Sequence, residues 1–393
     1  MGNCWVGLCF AGGVENTDSG GADQLDAVTE IILSEAVDRC SRDPRRSSLS
    51  RRADDRWSSL SRPLPQPIAV LDDVGAALTR ELVSRGLYPR IWCDDLREEE
   101  AARAAFLTQT IIPANAGISP TIVQTLTGAR TVLWRLPKAV SAVDDYAELI
   151  ATHAAPDVLL VAGGRDKHLS RSMNDALARH FGSVSASLGR RKARALVATG
   201  PTPAVPRWPK LNRLDDLDLT VAAHGATFNT NRLDRGTALL ASVFDQLPDG
   251  DRAIDLGCGS GIMAALLARQ GRTVTAVDVS WSACEAARLT AEANGLALEV
   301  VRRDGLADWS EPVDLIVLNP PFHIRSAKDT EPTRWLFAQA GGALRPGGEL
   351  WCVYNAHLPY LAWIRQSVGP TNIMAQDRRY LVTKSVTRHR YTC

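Results

Sequence analysis

The sequence predicts an α/β protein with two tandem domains. The chain has 393 residues, which is enough for two domains of ordinary size. Short apolar runs rich in β-branched residues alternate with helix-length segments, once from residue 67 to about 200 and again beyond residue 228. Alternating strands and helices indicate parallel sheets covered by helices. Between the two series lies a polar, proline-containing stretch, 201–225, which we expect to connect the domains.

The first domain is predicted over 66–205, after an N-terminal extension, 1–65. The extension contains helix-spaced apolar residues within 22–37 and then an Arg/Ser/Pro-rich loop over 41–67. The elements predicted for the first domain are strand 68–73, helix 76–84, strand 90–95, helix 94–106, strand 131–138, helix 141–153, strand 157–164, helix 170–181 and a hairpin over 183–200.

The second domain is predicted over 206–393 and repeats the alternation. Its predicted elements are helix 237–245, strand 252–257, helix 262–270, strand 273–280, helix 281–294, strand 298–304, a strand over 313–322, helix 333–344, strand 349–354, helix 360–367 and a final strand pair over 371–376 and 378–386.

Composition and charge narrow the function classes. The net charge is +1, so nucleic-acid binding would have to use local basic patches. The eight cysteines are scattered and form no C-x-x-C pair, which argues against a zinc site and for reduced thiols in a cytosol. No apolar run reaches the ~18 to 20 residues of a membrane span. We therefore expect a cytoplasmic monomer without a membrane span or a metal.

The stretch 313–322 ends its strand in an unusual way. An apolar, β-branched run is followed directly by N-P-P-F, residues 319–322. Two consecutive prolines cannot donate to a sheet, so the chain must leave the sheet there in a rigid loop. We expect this loop to present the Asn319 amide and the Pro320 carbonyl, with Phe322 nearby, at the strand's carboxyl end, where ligands bind in open α/β sheets.

A glycine-rich loop in the same domain predicts the cofactor. The first strand runs into D-L-G-C-G-S-G, residues 255–261, where glycines let the backbone approach a ligand closely. A dinucleotide fingerprint would need glycine where Ile262 stands, so a nicotinamide oxidoreductase is disfavoured. Asp255, Asp278 and Asp304 close three successive strands. With the glycine loop they indicate a site for S-adenosylmethionine, in which Asp278 binds ribose hydroxyls and Asp304 accepts from the adenine amine.

These motifs resemble those of a known family. D-L-G-C-G-S-G followed by N-P-P-F resembles the class I S-adenosylmethionine-dependent methyltransferases that methylate amino groups. Within this class the chain is similar to the bacterial ribosomal RNA (guanine-N2)-methyltransferases, the small-subunit methyltransferase C and large-subunit methyltransferase G family. The resemblance covers roughly residues 66–390 and includes H-G-A-T-F-N-T-N-R-L-D-R-G (224–236), G-G-E-L-W-C-V-Y-N-A-H-L-P-Y (347–360), L-P-K (136–138), A-G-G-R-D-K-H (162–168) and R-R-K-A-R (190–194).

The resemblance implies two tandem Rossmann-like methyltransferase domains, each with a seven-stranded, mostly parallel sheet, the N-terminal one degenerate and the C-terminal one catalytic. It implies methyl transfer from S-adenosyl-L-methionine to the exocyclic N2 amine of a guanine in ribosomal RNA, with 23S favoured and 16S open. The implied catalytic residues are Asn319, Pro320, Pro321 and Phe322. The implied cofactor-binding residues are Asp255, Gly257, Cys258, Gly259, Gly261, Asp278, Val279, Asp304, Gly305 and Asn319.

The chemistry of an aromatic amine explains these residue types. The exocyclic nitrogen of guanine is a weak nucleophile because its lone pair is delocalised into the ring. The Asn319 side-chain oxygen and the Pro320 carbonyl would accept its hydrogens and localise the lone pair towards the methyl group, while Phe322 stacks on the base. Catalysis is then placement for in-line displacement, without a metal or a strong base. The target base must be unpaired or flipped out of its helix.

The first domain is interpreted as a degenerate copy. L-D-D-V-G-A-A-L, residues 71–78, stands where the glycine loop would be and keeps only Gly75, and R-L-P-K replaces N-P-P-F. This half should neither bind cofactor nor catalyse, and in the family such a domain helps to hold the RNA. Candidate RNA or substrate contacts are Arg165, Lys167, Arg190, Arg191, Lys192, Phe228, Asp234 and His323. For each basic residue, a solvated surface charge is the alternative.

Two other interpretations stay open. The N-P-P-aromatic loop is shared by methyltransferases that act on adenine in DNA or on a glutamine side chain, so the amine could differ. A protein of another class, a non-catalytic RNA-binding or ribosome-assembly protein, would show no affinity for S-adenosylmethionine. In the favoured interpretation the partner is ribosomal RNA or a ribosomal subunit.

Overall fold

The computed structural model describes residues 25–41, 64–107, 116–228, 233–320 and 331–387. The elements of the first half are α1 (Ala27–Ser41), β1 (Ile68–Leu71), α2 (Ala77–Ser84), β2 (Arg90–Trp92), α3 (Leu96–Leu107), β3 (Gly117–Ile118), α4 (Ile122–Leu126), β4 (Thr131–Arg135), α5 (Val140–His153), β5 (Leu159–Arg165), α6 (Arg171–Ala178), β6 (Phe181–Ala186) and β7 (Ala193–Pro201).

The second half begins with a two-stranded hairpin and then repeats the same plan. Its elements are β8 (Lys210–Leu214), β9 (Leu219–Ala223), α7 (Arg235–Ala241), β10 (Arg252–Leu256), α8 (Ile262–Arg269), β11 (Thr273–Asp278), α9 (Trp281–Ala293), β12 (Glu299–Arg302), β13 (Val313–Leu318), α10 (Glu331–Ala343), β14 (Leu344–Asn355), α11 (Tyr360–Ser367), β15 (Thr371–Gln376) and β16 (Tyr380–Val386).

The two large sheets have the same strand order. It is β3-β2-β1-β4-β5-β7-β6 in the first and β12-β11-β10-β13-β14-β16-β15 in the second. The first five strands in each order are parallel, and β7 and β16 run antiparallel to both of their neighbours. The predicted fold class, two tandem α/β domains with seven-stranded, mostly parallel sheets, is confirmed.

Helices cover both faces of each sheet. In the first domain α1, α2 and α3 pack on one face, and α4, α5 and α6 on the other. In the second, α7, α8 and α9 pack on one face, and α10 and α11 on the other. Such double cover explains why the central strands are continuous apolar runs, since both of their faces are buried.

Helix α1 packs directly on the first sheet. It lies against β5 and β7, and its residues Ile31, Ile32 and Ala36 are buried in the same core as β1. In the second domain α7 contacts β14 and β16, the strands that correspond to β5 and β7. Helix α1 therefore holds the same position in its domain as α7 holds in the other.

The predicted connection over 201–225 is wrong in part, because it contains the β8–β9 hairpin. Leu219 and Val221 of β9 are buried, and Ala222 N donates to the Thr290 hydroxyl of α9 at 2.9 Å. The sequence pattern did not indicate this strand pair, because the stretch begins with proline and polar residues and β8 is largely exposed. The short elements β3 and α4 were also not predicted, because two to five residues are too few to show a period.

The two domains dock through the carboxyl ends of β2 and β11. The Asp94 carboxylate accepts from the Ser280 hydroxyl at 2.7 Å and from Ser282 N at 2.8 Å. The Trp281 ring packs edge-on against Trp92, with ring centroids 5.5 Å apart, and so enters the core of the first domain. The carboxyl edge of the first sheet is therefore covered by the second domain.

Candidate active site

A cavity of about 440 Å³ opens at the carboxyl edge of the second sheet. Its volume lies in the range of small-molecule sites. The loops that follow β10, β11, β12 and β13 form most of its wall, and α7, α10 and α3 complete it. The lining residues are Arg97, Phe228, Asp234, Thr237, Asp255, Leu256, Gly257, Cys258, Gly259, Ser260, Ile262, Met263, Val277, Asp278, Val279, Arg303, Asp304, Gly305, Leu318, Asn319, Pro320, Thr333, Trp335 and Leu336.

The glycine loop after β10 forms the floor of the cavity. Gly257 and Gly261 adopt left-handed backbone angles, with φ of +72° and +75°, which disfavour residues with a side chain. A Cβ on Gly261 would lie 2.9 Å from the Cα of Ala287, so the loop also packs tightly on α9. At Gly257, which lines the cavity, the nearest atom to a Cβ would be Asn319 O, at 4.0 Å. The predicted Cys258 and Gly259 line the same floor.

Two carboxyl groups, those of the buried Asp255 and the partly exposed Asp278, make the floor acidic. Burial, together with the nearby Asp278 carboxylate, raises the pKa of Asp255 to about 7, although the hydrogen bond that Ala264 N donates to Asp255 at 2.9 Å acts in the opposite direction. Burial also raises the pKa of Asp278, whose oxygens accept from Gly259 N at 3.0 Å and Ser280 N at 2.9 Å. Desolvated carboxylates without a cation gain strongly from a positively charged ligand.

The end of β12 forms the next part of the wall. Asp304 and Gly305 both line the cavity. Leu306 N donates to the Gln339 side-chain oxygen of α10 at 2.6 Å, which holds this loop against the helix. The three predicted acids therefore meet at one cavity, as expected from the common edge at which parallel strands end.

Asn319 lies at the end of β13 with its carboxamide inside the site. Its Nδ2 donates to the Thr237 hydroxyl oxygen at 3.0 Å. Its Oδ1 is buried and has no hydrogen-bond partner among the described residues. A buried carboxamide oxygen without a donor is costly, so this atom is suited to accept a hydrogen bond from a bound molecule. Pro320 also lines the cavity, whereas Pro321, Phe322 and His323 lie outside the described residues.

Two exposed aromatic rings stand at the cavity. Phe228 is 58% exposed and Trp335 of α10 is 52% exposed, and both line the opening. Large apolar side chains at this exposure offer a flat surface to a planar ligand. Phe228 was predicted from the sequence, but Trp335 was not. Little in the sequence points to Trp335 as a site residue, because a Trp in an amphipathic helix is usually a core residue.

The first domain also contributes to the site. Arg97 of α3 lines the cavity, and its guanidinium binds Asp95 at 2.6 Å. Leu96 N donates to Val279 O at 3.1 Å, next to Asp278. The Arg302 guanidinium donates to Cys93 O at 2.8 Å and pairs with Glu99 at 2.6 Å, which fixes the end of β12 as well. The sequence did not predict the contacts of Leu96 and Arg302, because each joins residues about 180 to 210 positions apart.

The predicted basic residues of the first domain lie together, away from this cavity. Arg165 donates to Arg191 O at 3.3 Å, so the end of β5 and the β6–β7 turn form one exposed surface. Arg190 and Arg191 both pair with Glu30 of α1, at 3.3 and 2.8 Å. These two guanidinium groups are therefore partly neutralised. Lys167 and Lys192 are exposed on the same surface, and no ion pair is found for them within the described ranges.

The residues present fit S-adenosylmethionine. The ligand carries positive charge, and the floor offers two desolvated carboxyl groups. Its adenosine portion needs acceptors beyond the floor, and Asp304 provides one. The open space above Gly257 and Gly259 lets a ligand approach the backbone. Among the described residues, no three His, Cys, Asp or Glu side chains are grouped to hold a metal, and no helix there is long and apolar enough to span a membrane.

Comparison with family models matches both halves of the chain. Residues 55–202 match the model described as the RLMG N-terminal domain, and residues 218–384 match the methyltransferase small domain. The two matches are separated by residues 203–217, which include β8, and each match covers one of the two large sheets.

Individual relatives match over most of the chain. The ribosomal RNA large subunit methyltransferase G of Streptomyces avermitilis is 32% identical over 348 residues, which cover 83% of this chain and 88% of the relative. The ribosomal RNA small subunit methyltransferase C of Chromohalobacter salexigens is 34% identical over 288 residues, 71% of this chain and 84% of the relative. The solved structure of a T. thermophilus 16S rRNA N2 methyltransferase, in complex with AdoMet and guanosine, has a TM-score of 0.68 over 92% of both chains at 19% identity, which supports the fold.

Proposed function

The chain belongs to the family of ribosomal RNA methyltransferases that includes large subunit methyltransferase G, and we propose that it transfers a methyl group from S-adenosylmethionine to the exocyclic N2 amine of a guanine in ribosomal RNA. One observation carries the assignment of the chemistry. Asn319 Oδ1, for which the described residues offer no hydrogen-bond donor, lies at the end of β13, on the wall of the cavity that holds the glycine loop and the three acids.

Residues of the second domain would hold the methyl donor. When bound, S-adenosylmethionine supplies an electrophilic methyl group on a sulfonium. Asp255 and Asp278 would offset the positive charge of the ligand, and the Gly257–Gly261 loop would let it approach the backbone. Asp304 would accept from the adenine amine. Val279, whose backbone is held by Leu96 of the first domain, would fix the loop beside Asp278.

Asn319 and Pro320 would then act on the guanine amine. The Asn319 Oδ1 and the Pro320 carbonyl accept its two hydrogens, which draws the nitrogen lone pair out of conjugation and towards the methyl group. Phe228 and Trp335 are positioned to stack on or flank the base, because both rings line the cavity and remain half exposed. The nitrogen becomes acidic as the bond forms, so the proton can leave to water without a strong base.

The first domain would contribute binding and order, without chemistry of its own. Lys167, Lys192 and Arg165 on the β5–β7 surface would contact phosphate groups, which position RNA without reading its sequence. The match of residues 55–202 to the RLMG N-terminal domain favours the large-subunit RNA as substrate. We also propose that the protein acts as a cytoplasmic monomer, which light scattering on the purified chain would test.

The decisive experiment is methyl transfer with radiolabelled S-adenosylmethionine. The purified chain is incubated with unmodified 23S RNA, with 16S RNA, and with each assembled subunit, and the labelled nucleoside is identified after digestion. The proposal predicts N2-methylguanosine, in 23S RNA or its subunit. Label in another nucleoside, or in a glutamine of a ribosomal protein, would show that the substrate is not the proposed guanine. No binding of S-adenosylmethionine by calorimetry would instead favour a non-catalytic RNA-binding protein.

A further inference from the structure

We infer that Thr237 and Asp234 form a hydrogen-bond relay that fixes which end of the Asn319 carboxamide faces the substrate. Asn319 can rotate its side chain by half a turn and exchange oxygen for NH₂ at the same place. Only one of the two orientations can accept a hydrogen from an amine. A residue that selects the orientation is therefore a positioning residue for the reaction, and this inference rests on the proposed function.

The geometry places three polar groups in series. Asp234 precedes α7 and caps it, because its Oδ1 accepts from Gly236 N at 2.9 Å and from Thr237 N at 3.1 Å. Its Oδ2 accepts from the Thr237 hydroxyl. The Thr237 oxygen in turn accepts from Asn319 Nδ2 at 3.0 Å. All three residues line the cavity, and Thr237 itself is buried.

A count of hydrogens decides the direction of the relay. A threonine hydroxyl has one hydrogen, and a carboxylate has none. Because the Thr237 hydrogen is donated to Asp234, the Thr237 oxygen can only accept, and its partner must be the NH₂ group of Asn319. The opposite orientation would place Oδ1 against a lone pair and the NH₂ group at the substrate position. The relay thus directs Oδ1, which has no partner in the described part of the chain, towards the substrate.

The first domain contains a similar arrangement, in which the arginine also pairs directly with the aspartate at 3.0 Å, and there the direction of the hydrogen bond to the threonine oxygen is unambiguous. Asp26 caps α1 through Val28 N at 3.0 Å, and the Thr29 hydroxyl donates to Asp26. The Thr29 oxygen accepts from Arg135 Nη1 at 2.9 Å. Arg135 ends β4, the strand that corresponds to β13, and its guanidinium has no acceptor. The threonine oxygen therefore must accept in the first domain, in the arrangement that the second domain repeats.

The test compares substitutions that keep or remove the hydroxyl. Thr237→Val keeps the shape of the side chain but removes the oxygen that accepts from Asn319 Nδ2. Both orientations of the Asn319 carboxamide are then possible. We expect kcat to fall about 30- to 100-fold, as is typical when a group in contact with substrate is misplaced. The Kd for S-adenosylmethionine and the KM for RNA should stay within about 3-fold, while Thr237→Ser should retain kcat within about 3-fold.

A second substitution reverses the relay. Asp234→Asn keeps an oxygen for the helix cap but adds an NH₂ group that can donate to the Thr237 oxygen. The hydroxyl hydrogen is then free to donate to Asn319, which selects the wrong orientation. We expect kcat to fall as for Thr237→Val. Thr371→Val is the matched control: Thr371 is equally buried and hydrogen-bonded to Ser385 at 2.9 Å but lies away from the cavity, so it should lower Tm and leave kcat unchanged.

A readout that does not need turnover separates this inference from the proposed function. In ¹⁵N-labelled protein, the Asn319 side-chain signal, assigned by its loss in Asn319→Ala, should shift in Thr237→Val and stay in place in Thr237→Ser. The relay is wrong if Thr237→Ser is as impaired as Thr237→Val, if kcat and cofactor affinity fall together, or if the signal does not move. If the wild-type chain transfers no methyl group to guanine, the proposed function is wrong. The position of the Asn319 side-chain signal in the variants would still show whether the relay exists.

Discussion

At the carboxyl edges of the two sheets, the loops after the first strands are alike in length but carry different side chains. The loop after β1, residues 72–76, has the same length as the loop after β10, residues 257–261, and both lead straight into a helix. Asp72 and Ala76 take up left-handed angles, with φ of +51° and +55°, at the places where Gly257 and Gly261 do. The first domain has thus kept the length of the loop and the left-handed angles at its two ends, but with side chains at both of those positions.

Those side chains and the neighbouring domain close the first site. The Asp72 carboxyl accepts from Asp94 N at 3.0 Å and from Trp134 Nε1 at 3.1 Å. Burial, together with the nearby Asp94 carboxylate, raises the pKa of Asp72 to about 7. The carboxylate of Asp94 is used to bind Ser280 and Ser282 of the second domain. The edge has changed from a ligand site into a domain interface.

The fold supplies a place for a ligand at this edge of each sheet. Glycines and acceptors that are left for the ligand keep that place open for binding. Asn319 has an oxygen without a donor among the described residues. At the matching place Arg135 has only donors, which Asp26 and Thr29 at the start of α1 accept. The first domain instead supports the second, because it holds the loop beside Asp278 through Leu96 and Asp94.

The largest effect should come from removing the acceptor that the first domain lacks. We expect Asn319→Ala to lower kcat by at least about 10³-fold, because the amine then loses the group that localises its lone pair. The Kd for S-adenosylmethionine, measured by calorimetry, should change by no more than a few-fold. Arg135→Ala, at the matching strand end, should keep kcat within a few-fold. Loss of cofactor affinity together with turnover in Asn319→Ala would indicate a collapsed site.

Copying the first loop into the second should close the cofactor site. Gly257→Asp introduces the residue that stands at the matching position, Asp72, and a side chain there would occupy the cavity floor. We expect the Kd for S-adenosylmethionine to rise at least about 100-fold. The backbone angle itself should cost about 1 to 2 kcal/mol. Gly271→Asp, at another left-handed glycine with open space around it, imposes similar strain and should leave the Kd unchanged. Equal affinities of Gly257→Asp and wild type would refute this account of the degenerate loop.

The raised pKa of Asp255 should make cofactor binding depend on pH. A cationic ligand stabilises the ionised carboxylate and lowers its pKa from about 7, so binding releases a proton. The affinity for S-adenosylmethionine should therefore be highest above pH 7 and should fall as the pH drops through 7, by about tenfold between pH 8 and pH 6. Adenosine, which is uncharged, should show little change, and Asp255→Asn should flatten the profile for S-adenosylmethionine. Tighter binding of S-adenosylmethionine in acid would contradict the sign.

The smallest effect should come from the basic surface of the first domain. We expect Lys167→Ala combined with Lys192→Ala to weaken RNA binding several-fold and to reduce the slope of log K against log salt by about 2. Arg190→Ala should have less effect, because Glu30 already neutralises part of its charge. Arg130→Ala, an exposed residue at the opposite edge of the sheet paired with Asp157, is the control and should not change the slope. A flat salt response in the wild type would remove the proposed role of this surface.

Most of the framework could be predicted from the sequence, because its signals are local. Strand and helix periods placed the main elements to within a few residues, and three acids at successive strand ends predicted one site, since parallel strands end at one edge. Short elements such as β3 gave no period. The hairpin β8–β9 was not predicted, because only one of its strands is buried and the surrounding stretch is polar.

The sequence by itself determined the fold class, the glycine loop and the Asn319 strand end, because each depends on residues adjacent in the chain. The tertiary structure alone decided which distant residues join them. Thr237 reaches Asn319 across 82 positions, Arg191 meets Glu30 across 161, and Arg302 pairs with Glu99 across 203. Such pairings depend on how the two sheets and their helices pack, and no local period records that packing.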